Sequence, residues 1–222
     1  ESYRHFHNAC LSENSVWRDP MRAALLNLTN QRHAQHNRTV FHLEPDIKDA
    51  PGGLRDATAI RLLRNLNNRD KLDRAYVDIG RIDEAEDFML RIRSILHMER
   101  GRNLNTLNHE LQETVANVFG SPGGHVRSQV EALMSTYFHH AQLISRSLAT
   151  ALKSSEAPTH SNVTKIGKDL EQSWDGIRFI DGTRASLQPQ TWLTAFEAAL
   201  DHDVDVSEQV LTCVERHVER YP

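Results

Sequence analysis

The sequence predicts a mainly α fold: a helical bundle with one short N-terminal strand and a small β-hairpin near residues 176–187. Three observations carry this. Apolar residues recur at three- and four-residue spacing through most of the chain. Acids, Pro and Gly stand where helices start and stop. Strand-type patterning, rich in β-branched and aromatic residues, surfaces in only two short stretches. With 222 residues, 39% of them hydrophobic and 25% charged, the chain can bury a sizeable core and has an ordinary globular composition.

In "DPMRAALLNLTNQRHAQH", Asp19 suits an N-cap and Pro20 the first helical position. "RTVFHLE" then predicts a strand over about Thr39 to Glu44. Pro45, Pro51, Gly52 and Gly53 punctuate the loop beyond it. Leu54, Ile60, Leu63 and Leu66 give the next helix an apolar stripe. "IDEAEDFMLRIRSILHME" reads as a helix with acids in its first turn, where the macrodipole favours them. Phe88, Ile92, Ile95 and Leu96 share one of its faces, and Gly101 closes it. A shorter helix near Glu110 to Phe119 ends at the break Gly120-Ser121-Pro122-Gly123-Gly124. The longest helix is expected over about Val126 to Leu152. Lys153 to Asn162 turns polar and reads as a linker. "GIRFIDGTRASL" reads as a hairpin about a type I′ turn at Asp181-Gly182, with helices near Pro189 to Leu200 and Val206 to Arg220 after it.

The net charge of −4 argues against a general nucleic-acid coat. Acids offset most of the arginines between Arg55 and Arg102, which leaves room for local anion pockets and none for a broad basic stripe. Cys10 and Cys213 stand far apart without a CxxC partner, so a reduced, cytoplasmic protein is the simpler expectation. No run reaches the length of a membrane span, and no signal peptide opens the chain. The start at Glu1 without Met and the end at Tyr221-Pro222 read as a piece excised from something longer.

The stretch "HLEPDIKDAPGGLRDATAIRLLRN" (His42 to Asn65) has the parts of an anion site. Gly52 and Gly53 allow close approach of the backbone and lead into a helix whose first N–H groups lack helical partners. Such a start attracts phosphate. Lys48 and Arg55 flank it with positive charge, and Arg grips phosphate in a bidentate fork. Glu44 and Asp56 could position those cations or help hold a metal ion. The plainer reading is a polar turn in which Pro and Gly bend the chain and Asp caps a helix.

"LEPDIKDAPGGLRD" resembles the signature that follows the nucleotidyltransferase domain in bacterial PII-protein uridylyltransferases (uridylyl-removing enzymes). "EDFMLRIRSILHMERGRNLNTLNHELQETVANVFG" is similar to that family's helix-loop segment, and "VEALMSTYFHHAQLI" to its next long helix. "IRFIDGTRASL" and its sequel resemble the hairpin and helical pair beyond. The likeness covers roughly residues 39 to 215 and weakens towards the C-terminus. It departs where the family usually carries Trp and this chain has Leu62 or its neighbour and Leu90, which read as core-type swaps.

The resemblance implies a place within a larger enzyme. Residues 1–44 would be the tail of a nucleotidyltransferase-like domain, 45–153 a helical nucleotidyltransferase-associated domain, and 154–222 a hairpin with helices leading towards an HD-type domain. That family moves UMP from UTP, with Mg²⁺, onto a tyrosine of the nitrogen-signalling PII protein, using carboxylates of a Gly-Ser … Asp-x-Asp motif. No such motif stands upstream of Glu44, so the chain alone is expected to be inactive. Glu44, Lys48, Gly52, Gly53, Arg55, Asp56, Arg93 and His97 are the residues the resemblance implies for nucleotide binding. A non-catalytic helical module that docks PII or spaces domains is the alternative. An independent transferase with degenerate motifs is a weaker third.

Arg91, Arg93, His97, Arg100 and Arg102 form a dense basic set, and Arg93 and His97 share a helix face. The competing reading is a solvated face paired with Glu86 and Glu99. His202-Asp203 lacks the separate His and distant Asp of an HD hydrolase, and a helix-terminal acidic cluster is the better reading. The pairs His5/His7 and His33/His36 are expected by chance among 13 histidines and read as structural or surface residues. His139 and His140 diverge by roughly 100° on a helix and cannot easily chelate one ion. No G-x-S-x-G, Cys–His or Walker A arrangement occurs.

Overall fold

The computed structural model describes residues 16–66, 77–101, 103–120, 125–156 and 163–221. Helices dominate, and a three-stranded antiparallel sheet stands in the C-terminal part, so the predicted class holds. Among these residues two compact units separate, one of 16–66 with 78–149 and one of 77 with 150–221. Cys10, His5, His7 and Arg102 lie outside the described residues, as do 121–124 of the glycine-rich break and 157–162 of the expected linker.

The first unit is built from α1 (Arg18–Gln35), α2 (Leu54–Leu66), α3 (Ile79–Arg100), α4 (His109–Phe119) and most of α5 (Val126–Glu156). The caps explain the boundaries. Asp78 accepts a hydrogen bond from the Arg81 N–H at the start of α3, and Gly101, at φ 59°, closes that helix through its N–H to the His97 carbonyl. Asn108 caps α4 through the Leu111 N–H at 3.0 Å. Ile60 and Leu63 of α2, Ile82, Met89, Ile92 and Leu96 of α3, Leu111 and Val115 of α4, and Tyr137 and Ile144 of α5 are enclosed. Each such large apolar side chain contributes about 1.5–3 kcal/mol relative to exposure.

Helix α1 is held differently. Thr29 is its one buried residue, while Met21 and Leu28 face solvent. It starts at Arg18, so Asp19 sits in the first turn, paired with Arg22 at 2.9 Å, and not at the cap. Asn37 and Arg38, at φ 52° and 54°, turn the chain out of it.

Three expectations need correction. Thr39–Glu44 is not a strand: Thr39 Oγ1 accepts the Phe41 N–H, His42 Nε2 bonds the His36 carbonyl, and Phe41 packs on Phe138 at 5.6 Å. β-branched residues favour a strand only beside a free sheet edge, and none is described in this unit. Helix α3 begins at Ile79, so its acids lie beyond the first turn, and Asp83 pairs with Arg61 at 2.6 Å. Leu62 and Leu90 are 44% and 43% exposed, so they are surface positions and not core swaps.

In the second unit β1 (Thr164–Ile166), β2 (Leu170–Ser173) and β3 (Gly176–Phe179) pair in sequence order, with Gln172 opposite Ile177 and Leu170 opposite Phe179. The β2–β3 turn is Trp174-Asp175 and not Asp181-Gly182. Asp181 instead caps the short helix α6 (Gly182–Ala185) by accepting the Arg184 N–H at 3.0 Å. An Asp-Gly pair serves either purpose, and the residues after it decide. Helices α7 (Pro189–Asp201) and α8 (Glu208–His217) pack Trp192, Ala195 and Val210 against Leu170, Ile177 and Phe179. Two buried polar groups are matched here: Trp192 Nε1 donates to the Ala185 carbonyl at 2.7 Å, and Gln209 Oε1 accepts the Phe179 N–H at 2.9 Å.

Candidate functional site: the Glu44–Asp56 loop

The loop is rigid because its backbone groups are used internally. Asp46 Oδ1 accepts the N–H groups of Lys48 at 2.9 Å and Asp49 at 2.7 Å, an Asx-type turn. The Gly53, Leu54 and Arg55 N–H groups donate to the carbonyls of Ala50, Ile47 and Lys48. Gly52 N–H goes to Asp56 Oδ2 at 2.7 Å. The start of α2 therefore has no idle N–H donors in this loop, which corrects the expectation of a backbone cradle for phosphate. The glycines have another task. At φ +76°, a Cβ on Gly52 would stand 2.1 Å from the Ala141 carbonyl oxygen, so glycine lets the loop press directly on the backbone of α5.

Asp56 is fully buried, and its carboxylate is the hub of the loop. It accepts from Arg32, lies 3.0 and 2.9 Å from His33 Nε2 through its two oxygens, and accepts the Gly52 N–H. It thus fastens α1 to α2 and does not steer Lys48 or Arg55. Arg32 and His33 were missed as site-forming residues because their partner is far away in sequence. The available signal was an Asp placed among buried apolar residues of α2, which demands a cation.

Lys48 is half-buried with no ion pair at its ammonium among the described residues. Arg55 is 54% exposed, with Nε 2.9 Å from Asp49 Oδ1. The Arg55 N–H to Lys48 carbonyl bond keeps these two cationic residues neighbours. Glu44 Oε1 accepts the His109 N–H at 3.1 Å, so it is tied to the start of α4.

Arg93 is drawn to the loop by an indirect route. Its Nε donates to Asn105 Oδ1 at 2.9 Å and its guanidinium reaches Asn103 Oδ1 at 3.2 Å. The Asn105 carbonyl accepts the Ile47 N–H, and Leu107 N–H donates to the Pro45 carbonyl. Arg93 braces the loop from behind. His97 Nε2 is shielded without a hydrogen-bond partner, and no bond joins His97 or Arg93 to Lys48 or Arg55 among the described residues. The basic set is otherwise dispersed: Arg91 lies over the Phe119 ring at 4.6 Å, Arg100 pairs with Glu110, and Glu86 pairs with Arg61.

His33 serves Asp56, while His36 packs edge-on to His42. His140 packs on Phe88 at 4.9 Å; burial, with His139 beside it, lowers its pKa below the usual histidine value. Tyr137 is buried near Asp46 with its hydroxyl unpartnered, and burial drives its pKa well up. Among the described residues no group of three or more His, Cys, Asp or Glu could hold a metal ion. No helix of the described residues is long and apolar enough to cross a membrane.

The profile of the GlnD PII-uridylyltransferase family matches residues 21–152, a span that contains the whole loop and its braces. A bifunctional uridylyltransferase/uridylyl-removing enzyme of Acinetobacter baylyi is 33% identical over 169 residues, which is 70% of this chain and 19% of that protein. The like-named enzyme of Pseudomonas aeruginosa is 32% identical over 123 residues, covering 52% of this chain and 14% of its own. That of Idiomarina loihiensis is 31% identical over 144 residues, covering 61% and 16%. The chain thus spans a fifth or less of the length of these curated relatives. No solved structure matches it. With a profile that takes in more than half of its residues, the chain belongs to the GlnD PII-uridylyltransferase family.

Proposed function

We propose that this chain is the helical wall of a PII-protein uridylyltransferase site, in which the Glu44–Asp56 loop presents Lys48 and Arg55 to the phosphates of UTP. One observation carries the reading: the loop is braced on three sides, by Asp56, by Gly52 on α5 and by Asn105, and it holds half-buried Lys48, without an ion pair among the described residues, beside the exposed Arg55. A rigid loop that carries a lysine without an ion-pair partner binds anions without a reorganisation cost. The phosphate ligands are the side chains, since the backbone donors are spent. Arg93 positions the loop through Asn105, and Gly52, Gly53 and Asp56 shape it; none of these touches nucleotide.

The residues present do not fit Mg²⁺. Asp56 is committed to Arg32 and His33, Asp46 to two N–H groups, Asp49 to Arg55 and Glu44 to His109. The ion and the catalytic carboxylates belong to a transferase domain of the parent enzyme. The test is made in a full-length enzyme carrying this module. Lys48→Ala and Arg55→Ala together should lower uridylylation of PII by about a hundredfold or more. Activity within about twofold of wild type would remove the phosphate role.

A second reading has its own observation. On α3, Leu90 and Met98 are 43% and 75% exposed near Arg91, an apolar and basic face suited to a protein partner. If Met98→Asp with Arg91→Glu weakens PII binding and leaves the KM for UTP unchanged, that face docks PII.

A further inference from the structure

A groove of about 690 Å³ opens in the second unit. Its floor and walls are Trp174, Ala199, Leu200 and Val204, and its rim carries Asp175, Asp203 and Asp205 against the single ammonium of Lys153. Two backbone features bring these together. Gly176, at φ 117°, lets the Asp205 carbonyl approach so closely that a Cβ would stand 2.1 Å from it. The chain beyond α7 then pairs Val206 alongside Ile177, which sets Asp205 next to the Trp174-Asp175 turn. Asp203, at φ 50°, makes the bend that points this segment back.

The apolar lining does not stop at the groove. Leu193, Phe196 and Leu200 recur at helical spacing on α7 and are 67%, 38% and 82% exposed, a stripe leading out of the groove's mouth. Glu197 and Asp201 border that stripe, and no Lys or Arg occurs between Pro189 and Asp205. Asp175 is half-buried with Oδ1 unpartnered, and burial raises its pKa above the usual aspartate value. Lys153 holds Asp205 at 3.1 Å, Arg178 and Lys153 both act on Asp175, and Asp203 makes no ion pair among the described residues. A contiguous exposed apolar strip rimmed by one sign of charge marks an interaction surface.

We propose that this groove docks a segment of another protein chain that carries arginine or lysine interleaved with leucine-sized side chains. The apolar side chains seat on Trp174, Leu200 and Phe196. The cations meet Asp203 and the bordering carboxylates of Asp201 and Glu197. An acidic or a small ionic ligand fits neither the charge nor the apolar stripe.

The experiment is a calorimetric titration of the purified chain with a short synthetic peptide of alternating arginine and leucine, and with its glutamate–leucine counterpart. The basic peptide should bind saturably, weaken with added salt, and exceed its counterpart by more than about tenfold. Asp201→Asn with Asp203→Asn, and separately Leu200→Ser at an exposed position, should each lose about tenfold or more while circular dichroism stays unchanged. Absence of saturable binding, equal binding of the acidic peptide, or indifference to these substitutions would overturn the proposal. Self-association of the chain abolished by Leu200→Ser would assign the groove to a second copy and also overturn it. Binding to the chain but not to the full-length enzyme would assign it to the parent polypeptide, with the same consequence.

Discussion

The energetic weight of single residues in this loop is set by approach distances, and glycine shows it most directly. Gly52 and Gly101 both sit at positive φ, 76° and 59°. A methyl group at Gly101 would meet nothing within 4 Å, so Gly101→Ala pays only the left-handed backbone penalty, about 1–2 kcal/mol. At Gly52 the same methyl group would stand 2.1 Å from a main-chain oxygen of α5, which cannot swing aside as a side chain would. Gly52→Ala should therefore cost about 3 kcal/mol or more, a large share of an ordinary domain's 5–15 kcal/mol. Urea unfolding of the two variants side by side decides the matter. Equal midpoints would mean that the loop does not press on α5. The glycine pair was legible in the sequence as a place of close approach. What it approaches was not, because Ala141 lies far along the chain and carries no mark of its partner.

Helices differ in how they are attached, and that difference governs which could be read in advance. Apolar periodicity located α2, α3 and α5, since each buries a stripe and period reports burial, while α4, α7 and α8 stand near where helices were expected. The sequence placed β3 inside the expected hairpin but not the other strands, because short strands depend on partners: Thr39–Glu44 found none, and Asp181-Gly182 became a helix cap. Period also says nothing of α1's attachment, for α1 buries Thr29 and fastens through Arg32 and His33 to Asp56. Breaking a buried pair from one side leaves an uncompensated charge and costs about 3–5 kcal/mol. Asp56→Asn should thus free α1 and the Gly52 N–H while the core of α2 to α5 persists. Hydrogen exchange should show α1 amides and Gly52 losing protection, with Ile92 and Leu96 unaffected. Uniform loss across the unit would mean that the hub supports the whole core and not one helix. On the site itself the sequence named Lys48 and Arg55, which the fold makes neighbours through the Arg55 N–H to Lys48 carbonyl bond. It assigned Asp56 and Glu44 to the wrong partners, since a carboxylate's partner is a long-range fact.

At the scale of the whole molecule, the family's chemistry exceeds what this chain holds. It spans 19% of the A. baylyi relative, and its loop carboxylates are each occupied by a cation or an N–H group. Two cations on a braced loop supply neither a metal site nor a base for a tyrosine hydroxyl. The chain has no Gly-Ser … Asp-x-Asp motif upstream of Glu44 to provide them. Purified alone with PII, UTP and Mg²⁺, it should transfer no UMP, whatever its affinity for nucleotide. Radiolabelled UTP and mass analysis of PII would measure this, with the full-length enzyme as the positive control. Uridylylated PII above the level without the chain would place working carboxylates inside these residues and overturn that division of labour. A blank result, joined to loss of activity when Lys48 and Arg55 are removed from the full-length enzyme, would leave the chain one role in the reaction. It would be the wall that holds the triphosphate while another domain supplies the metal and the attack.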